Sequence, residues 1–195
     1  MKPRQAAIAG VAVFAIAAAW LLFVALPRWY EARRTQGPAG PGAAAAAPAA
    51  PVRKITATLF YVAEDGMALV PVQREVPFGE SVADQARAIV EAQLAAAPPQ
   101  VSAIPDGVSL RNVFVTERGD AFIDVSADIS ARHPGGSLDE IFTVYTLVNA
   151  LTVNLPAITR VQILVEGKEV DTLAGHVDLR HPLAKSLEWV VHDTQ

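Results

Sequence analysis

From residue 6 to residue 26 the chain reads as one unbroken apolar run. Ala6 to Leu26 are 21 residues without a charge or, Trp20 aside, a hydrogen-bonding side chain. A helix of that length spans about 32 Å, enough to cross a hydrocarbon core of about 30 Å. Lys2 and Arg4 precede the run, and Ala17 and Ala19 form an Ala-x-Ala-like pair, so a cleaved signal peptide is the competing reading. The continuation through Leu21, Leu22, Phe23 and Val24 exceeds a signal core and favours a retained anchor. Trp29 and Tyr30 then suit the membrane interface, and Arg28, Arg33 and Arg34 suit lipid phosphates. The expected organisation is a short tail at 1–5, a transmembrane anchor at 6–26 in contact with membrane lipid, and a juxtamembrane linker at 27–51. A short amino-terminal tail before a long carboxyl-terminal portion is a signal-anchor layout, which places the domain at 52–195 outside a bacterial cytoplasm.

The pattern changes at Thr35. Residues 35–51 hold eight Ala, four Pro and three Gly, with no apolar period, and the prolines favour an extended tether. Beyond it, β-branched and aromatic residues mark strands at Ile55 to Val62 and Met67 to Val76, with Asp65-Gly66 signalling a hairpin between them. Pro71 withdraws a ladder donor and assigns the second strand to an edge or an interruption. Ser81 and Asp84 have capping-box spacing, and Val82, Ala86, Ile89, Val90, Leu94 and Ala97 share one side of a helix stopped by Pro98-Pro99. Ser109 to Glu117 and Ala121 to Ser126 form a second predicted hairpin. In its second strand Ala121, Ile123 and Val125 point one way, and Phe122, Asp124 and Ser126 form a solvated face.

Ser137 and Glu140 give a second capping-box spacing at the start of Leu138 to Leu155, a helix apolar nearly all round and so the expected centre of the core. Val161 to Glu166 is the next strand, followed by a short return at Glu169 to Thr172 and an irregular tail. The order β-β-α-β-β-α-β predicts an α+β domain with two helices packed on one mixed sheet. Without its first strand it is the order of a split βαβ sandwich.

Charge narrows the function classes. Residues 1–34 carry five bases and one acid, while residues 52–195 carry eleven bases and nineteen acids. So acidic a body repels phosphate backbones, which excludes nucleic acid as a partner. The absence of cysteine excludes disulfide scaffolds, thiol catalysis and lipid attachment at a Cys.

Four blocks carry a resemblance: Ser102 to Leu110 (SAIPDGVSL), the AFIDVS strand, Leu147 to Val170, and Gly175 to Leu183 (GHVDLRHPL). In this order they resemble the GerMN domain of sporulation and spore germination proteins, across nearly all of residues 55–183. The resemblance implies an envelope-exposed, membrane-tethered α/β domain related to ring-building motifs; the expected partner is an envelope protein or peptidoglycan, with self-association as a further possibility. It brings no catalytic residue with it. The single copy and the lack of a lipidation Cys depart from other members.

The candidate chemistry is weighed against local roles. His176, Asp178 and His181 are the one arrangement that suggests a metal, but the five-residue step crosses a proline-containing loop, and a structural turn is the stronger reading. Asp124 with Asp128, or Asp139 with Glu140, would serve glycan cleavage, and the first turn of a helix already explains the second pair. Gly135-Gly136-Ser137 could present amides to an anion but lacks a P-loop Lys. The serines Ser81, Ser102, Ser109, Ser126, Ser130 and Ser137 have cap or loop roles. No catalytic, cofactor-binding or metal residue is therefore assigned, and no cofactor is expected. The expectation is a non-catalytic, membrane-anchored envelope protein, with a glycan-acting enzyme or a ring-forming scaffold as alternatives.

Overall fold

A computed structural model describes residues 53–191. The predicted anchor, the linker and His192 lie outside the described residues; among those described, no helix is long and apolar enough to cross a membrane. The elements are β1 (Lys54–Val62), β2 (Leu69–Pro77), α1 (Val82–Leu94), β3 (Leu110–Val115), β4 (Asp120–Val125), α2 (Asp128–Ala131), α3 (Ser137–Asn154), β5 (Arg160–Val165), β6 (Lys168–Glu169) and β7 (Leu183–Ala184).

The expected single mixed sheet is instead two sheets. β1 and β2 form a separate antiparallel pair, and β3-β4-β5-β6, with β7 also on β5, form the other. β4 and β5 are adjacent and parallel. Their crossover through α3 is thus a direct βαβ unit, not a split one. The hairpin fails to join because its inner edge is already satisfied. Gln93 of α1 accepts from the Phe60 N–H at 2.9 Å and donates to the Phe60 carbonyl at 2.8 Å. Asn154 of α3 does the same for Thr58, at 2.8 and 2.7 Å, and Val62 donates to the Val101 carbonyl at 2.9 Å. A carboxamide offers the donor and acceptor a neighbouring strand would supply.

The same geometry explains Pro71. Phe60 turns its N–H away from β2, so its cross-strand partner Pro71 belongs to a non-hydrogen-bonded pair and its nitrogen faces outward. β2 therefore runs unbroken through a proline that costs the ladder nothing.

α1 has its capping box: the Ser81 hydroxyl accepts from the Asp84 N–H at 3.1 Å, and the Asp84 carboxylate accepts from the Ser81 N–H at 3.3 Å. α3 does not have the second one. Its N-cap is Gly136 at φ 93°, with no side-chain cap, and Glu140 turns inward. α3 is the core element expected, with Phe142, Val144, Leu147, Val148, Ala150 and Leu151 buried. It packs against both β1 and β5, and α1 packs against β1, β2 and β3.

Candidate functional site

Glu140 is fully buried. Its carboxylate accepts from the N–H groups of Leu173, Ala174 and His176 at 2.8, 2.9 and 2.7 Å, and sits 3.1 Å from His176 Nδ1. Burial pushes its carboxyl up, but the hydrogen bonds from Ala174, His176 and Leu173, joined by the His176 side chain, outweigh that and hold it below the ordinary 4.5. Asp139 and Glu140 both lie in the first turn of α3, as expected, but the Glu140 charge also serves three amides of a loop 33 to 36 residues away. Two further buried side chains hold the same carboxyl-terminal strap. Asn149 donates to the Ser186 carbonyl at 2.7 Å and accepts from its N–H at 3.1 Å, and Gln162 donates to the Leu179 carbonyl. The strap ends on β2, where Leu69 donates to Trp189 at 2.7 Å and Val191 donates to Leu69 at 2.8 Å.

The remaining sequence candidates fall apart spatially. Asp124 is buried rather than on a solvated face, because Arg111 at 3.1 Å and the Gly167 N–H at 2.6 Å close over it. Asp128 accepts from Ser126 Oγ at 3.2 Å, so the two carboxylates serve different partners. His176 is engaged with Glu140, and Asp178 with Arg180 Nε and Nη2 at 2.9 and 2.6 Å. The Arg180 hydrogen bonds hold the Asp178 carboxyl well below the usual range. Among the described residues no three His, Asp or Glu side chains are placed to hold a metal ion.

What the fold does assemble is a cleft of about 550 Å³. One wall is the loop Val101 to Asp106, pinned by the buried Ile104; the other is Arg132, Pro134 and the first turns of α3, with Asp139 on the wall and buried Phe142 behind it. A relay ties the walls together. The Gly135 N–H donates to His133 Nδ1 at 3.0 Å, which leaves Nε2–H to donate to Thr143 Oγ1 at 3.2 Å, and the Thr143 hydroxyl donates to the Ala103 carbonyl at 2.6 Å. Arg132 lies across Gly107, where a Cβ would stand 2.8 Å from Nη1, and φ is +86°. Glycine there admits the guanidinium.

Three of the cleft's residues bear on chemistry: Arg132, Asp106 and Asp139. They make no ion pair among the described residues. Sequence reasoning had passed over Arg132, an isolated base between α2 and a Gly-Gly turn. The block at Ser102 to Leu110 was the only signal near it.

Residues 58–171 match the sequence pattern of the family Germane, described as sporulation and spore germination. No curated protein matches the chain. The tandem GerMN domains of the sporulation protein GerM from Bacillus subtilis are similar in fold, with a TM-score of 0.53 at 19% identity over 68% of this chain. This chain spans 46% of that tandem structure. The first GerMN domain of the same protein aligns over 69% of this chain and 98% of its own length, at 17% identity and a TM-score of 0.49.

Proposed function

The chain belongs to the Germane family of sporulation and spore germination, and on that premise we propose that it is a membrane-anchored, non-catalytic envelope protein whose GerMN-type domain recognises an envelope protein or the cell wall. The observation that carries this reading is a division of labour among the polar side chains. Glu140, Asp124, His133 and Asp178 are spent on internal hydrogen bonds. The charged groups of the cleft, Asp106, Arg132 and Asp139, instead face solvent and make no ion pair among the described residues. Preorganised but unspent charge beside a concave surface suits recognition. The apolar run at 6–26 supports a membrane tether with the domain outside the cytoplasm.

One observation favours the enzymatic alternative: Asp106 and Asp139 line the same cleft. Paired carboxylates are what glycan hydrolysis needs. Purified full-length protein incubated with isolated sacculi distinguishes the two. Retention on the sacculi, or on a co-purifying envelope protein, without release of soluble fragments is the expected outcome; fragment release lost in Asp139→Asn would establish the enzyme. A reporter fused after Gln195 should be active only outside the cytoplasm, and cytoplasmic activity would overturn the topology.

A further inference from the structure

The chain contains two Asp-Gly steps, Asp65-Gly66 and Asp106-Gly107, and no Asn-Gly step. Both lie in exposed turns, and both glycines have positive φ, 71° and 86°. The nitrogen of such a step can attack the aspartyl Cγ, because glycine has no Cβ to crowd the approach. The fold treats the two steps differently.

At the tip of the β1-β2 hairpin both reacting groups are engaged. The Gly66 N–H donates to the Ala63 carbonyl at 2.9 Å, and Asp65 Oδ1 accepts from the Met67 N–H at 2.9 Å. Turning the carboxyl onto the Gly66 nitrogen costs both hydrogen bonds. At the other step, neither the Asp106 carboxylate nor the Gly107 N–H has a hydrogen-bond partner among the described residues. The loop behind it is held, since Ile104 is buried and its N–H donates to Ser102 Oγ at 3.0 Å. Arg132 lies beside the same turn, where a Cβ on Gly107 would stand 2.8 Å from Nη1. Its positive charge favours loss of the proton from the neighbouring peptide nitrogen.

We propose that Asp106 is a site of spontaneous isomerisation to a β-aspartyl linkage, and that the fold protects Asp65 from the same reaction. The Gly107 nitrogen gives up its proton and bonds to Cγ of the protonated Asp106 carboxyl, whose hydroxyl oxygen leaves as water. A five-membered succinimide results. Water then adds to the main-chain carbonyl carbon of Asp106, the bond from that carbon to the Gly107 nitrogen breaks, and the nitrogen stays on Cγ. One water leaves and one returns, so mass and net charge are unchanged. The main chain of the cleft's loop wall gains one methylene, and the free carboxylate now sits on Cα.

The test is incubation of the full-length protein in detergent micelles at mildly acidic pH. Trypsin digestion and electron-transfer fragmentation then separate β- from α-aspartyl peptides of equal mass. Cleavage after Lys54, Arg74, Arg87 and Arg111 puts the two steps on separate peptides, 55–74 and 88–111. The β-aspartyl form should accumulate at Asp106 about tenfold faster than at Asp65, roughly the factor that one retained hydrogen bond supplies. In urea the two rates should converge, because the contacts that separate them are lost. Arg132→Gln should slow the reaction at Asp106 by a factor of about three, the effect of one charge a few ångströms away in water, and leave Asp65 unchanged. Equal rates at the two steps in the folded protein would overturn the assignment. So would a gap that persists in urea, which would trace it to the flanking residues, or an Arg132→Gln rate equal to the parent's.

Discussion

The inner edge of the β1-β2 hairpin at Thr58 and Phe60 and the turn at Leu173 to His176, where the carboxyl-terminal strap begins, are both lengths of backbone without a strand beside them, and the two are satisfied by different side-chain chemistry. Along β1 the outward groups alternate donor and acceptor at Thr58 and Phe60, and the side chains that meet them are carboxamides, Asn154 and Gln93. At Leu173, Ala174 and His176 the strap turns three N–H groups to one point, and the side chain that meets them is a carboxylate, Glu140. An extended strand asks for a peptide-like partner; a turn that gathers donors asks for an anion. Neutral amides make these two contacts of the hairpin independent of pH. The carboxylate ties the strap to its own ionisation.

Breaking the anionic clamp should cost most. Glu140→Ala leaves three N–H groups without an acceptor, at about 1–3 kcal/mol for each group that stays buried, and a loss of about 3 kcal/mol or more is expected in denaturant unfolding. Hydrogen exchange should show the strap opening ahead of the hairpin. The amides come next. Gln93→Ala, at a fully buried site, should cost about 2 kcal/mol, and Asn154→Ala, where the bonds are half-buried, about 1 kcal/mol. An Asn154 variant more damaging than the Glu140 variant would undo the comparison.

The pH dependence sharpens it further. Because the folded carboxyl of Glu140 lies below its ordinary 4.5, its contribution is complete above that value. It is lost as pH falls through the folded value. Unfolding followed from pH 7 down to pH 3 should therefore show a fall in stability below about 4.5, shallower in Glu140→Gln; an unchanged slope in that variant would remove Glu140 as its source. The smallest effect is expected at the outer edge of β2, next to the point where the strap meets Leu69. Pro71→Thr adds an outward donor, with a stability change of about 0.5 kcal/mol or less, but it removes a block to edge pairing. Light scattering should reveal concentration-dependent association, and a strictly monomeric variant would mean that Pro71 does not guard the edge.

Much of the domain was legible in its own sequence because the signals are local. Ser81 and Asp84 specify the α1 cap three residues apart, the near-continuous apolar side of α3 announces a helix covered on most sides, and, α2 aside, the order of the seven elements from β1 to β5 follows the changes of period. The short α2 and β7 carry too few residues for a period to register. The cleft was visible only as a loop block, without the arginine that faces it.

The amino-acid sequence by itself determined which segments are strands and helices, the acidic balance of the body, and the family. Tertiary structure decided the pairing and the fate of the polar groups. Whether β1 and β2 extend the larger sheet depends on Gln93 and Asn154, which reach Phe60 and Thr58 across 33 and 96 residues of chain. Whether Glu140 caps its own helix or clamps a strap depends on donors 33 to 36 residues away. Capping-box spacing is the same in either case. A side chain with two lone-pair-bearing oxygens goes where the most buried donors lack a partner, and only the folded chain brings those donors within reach.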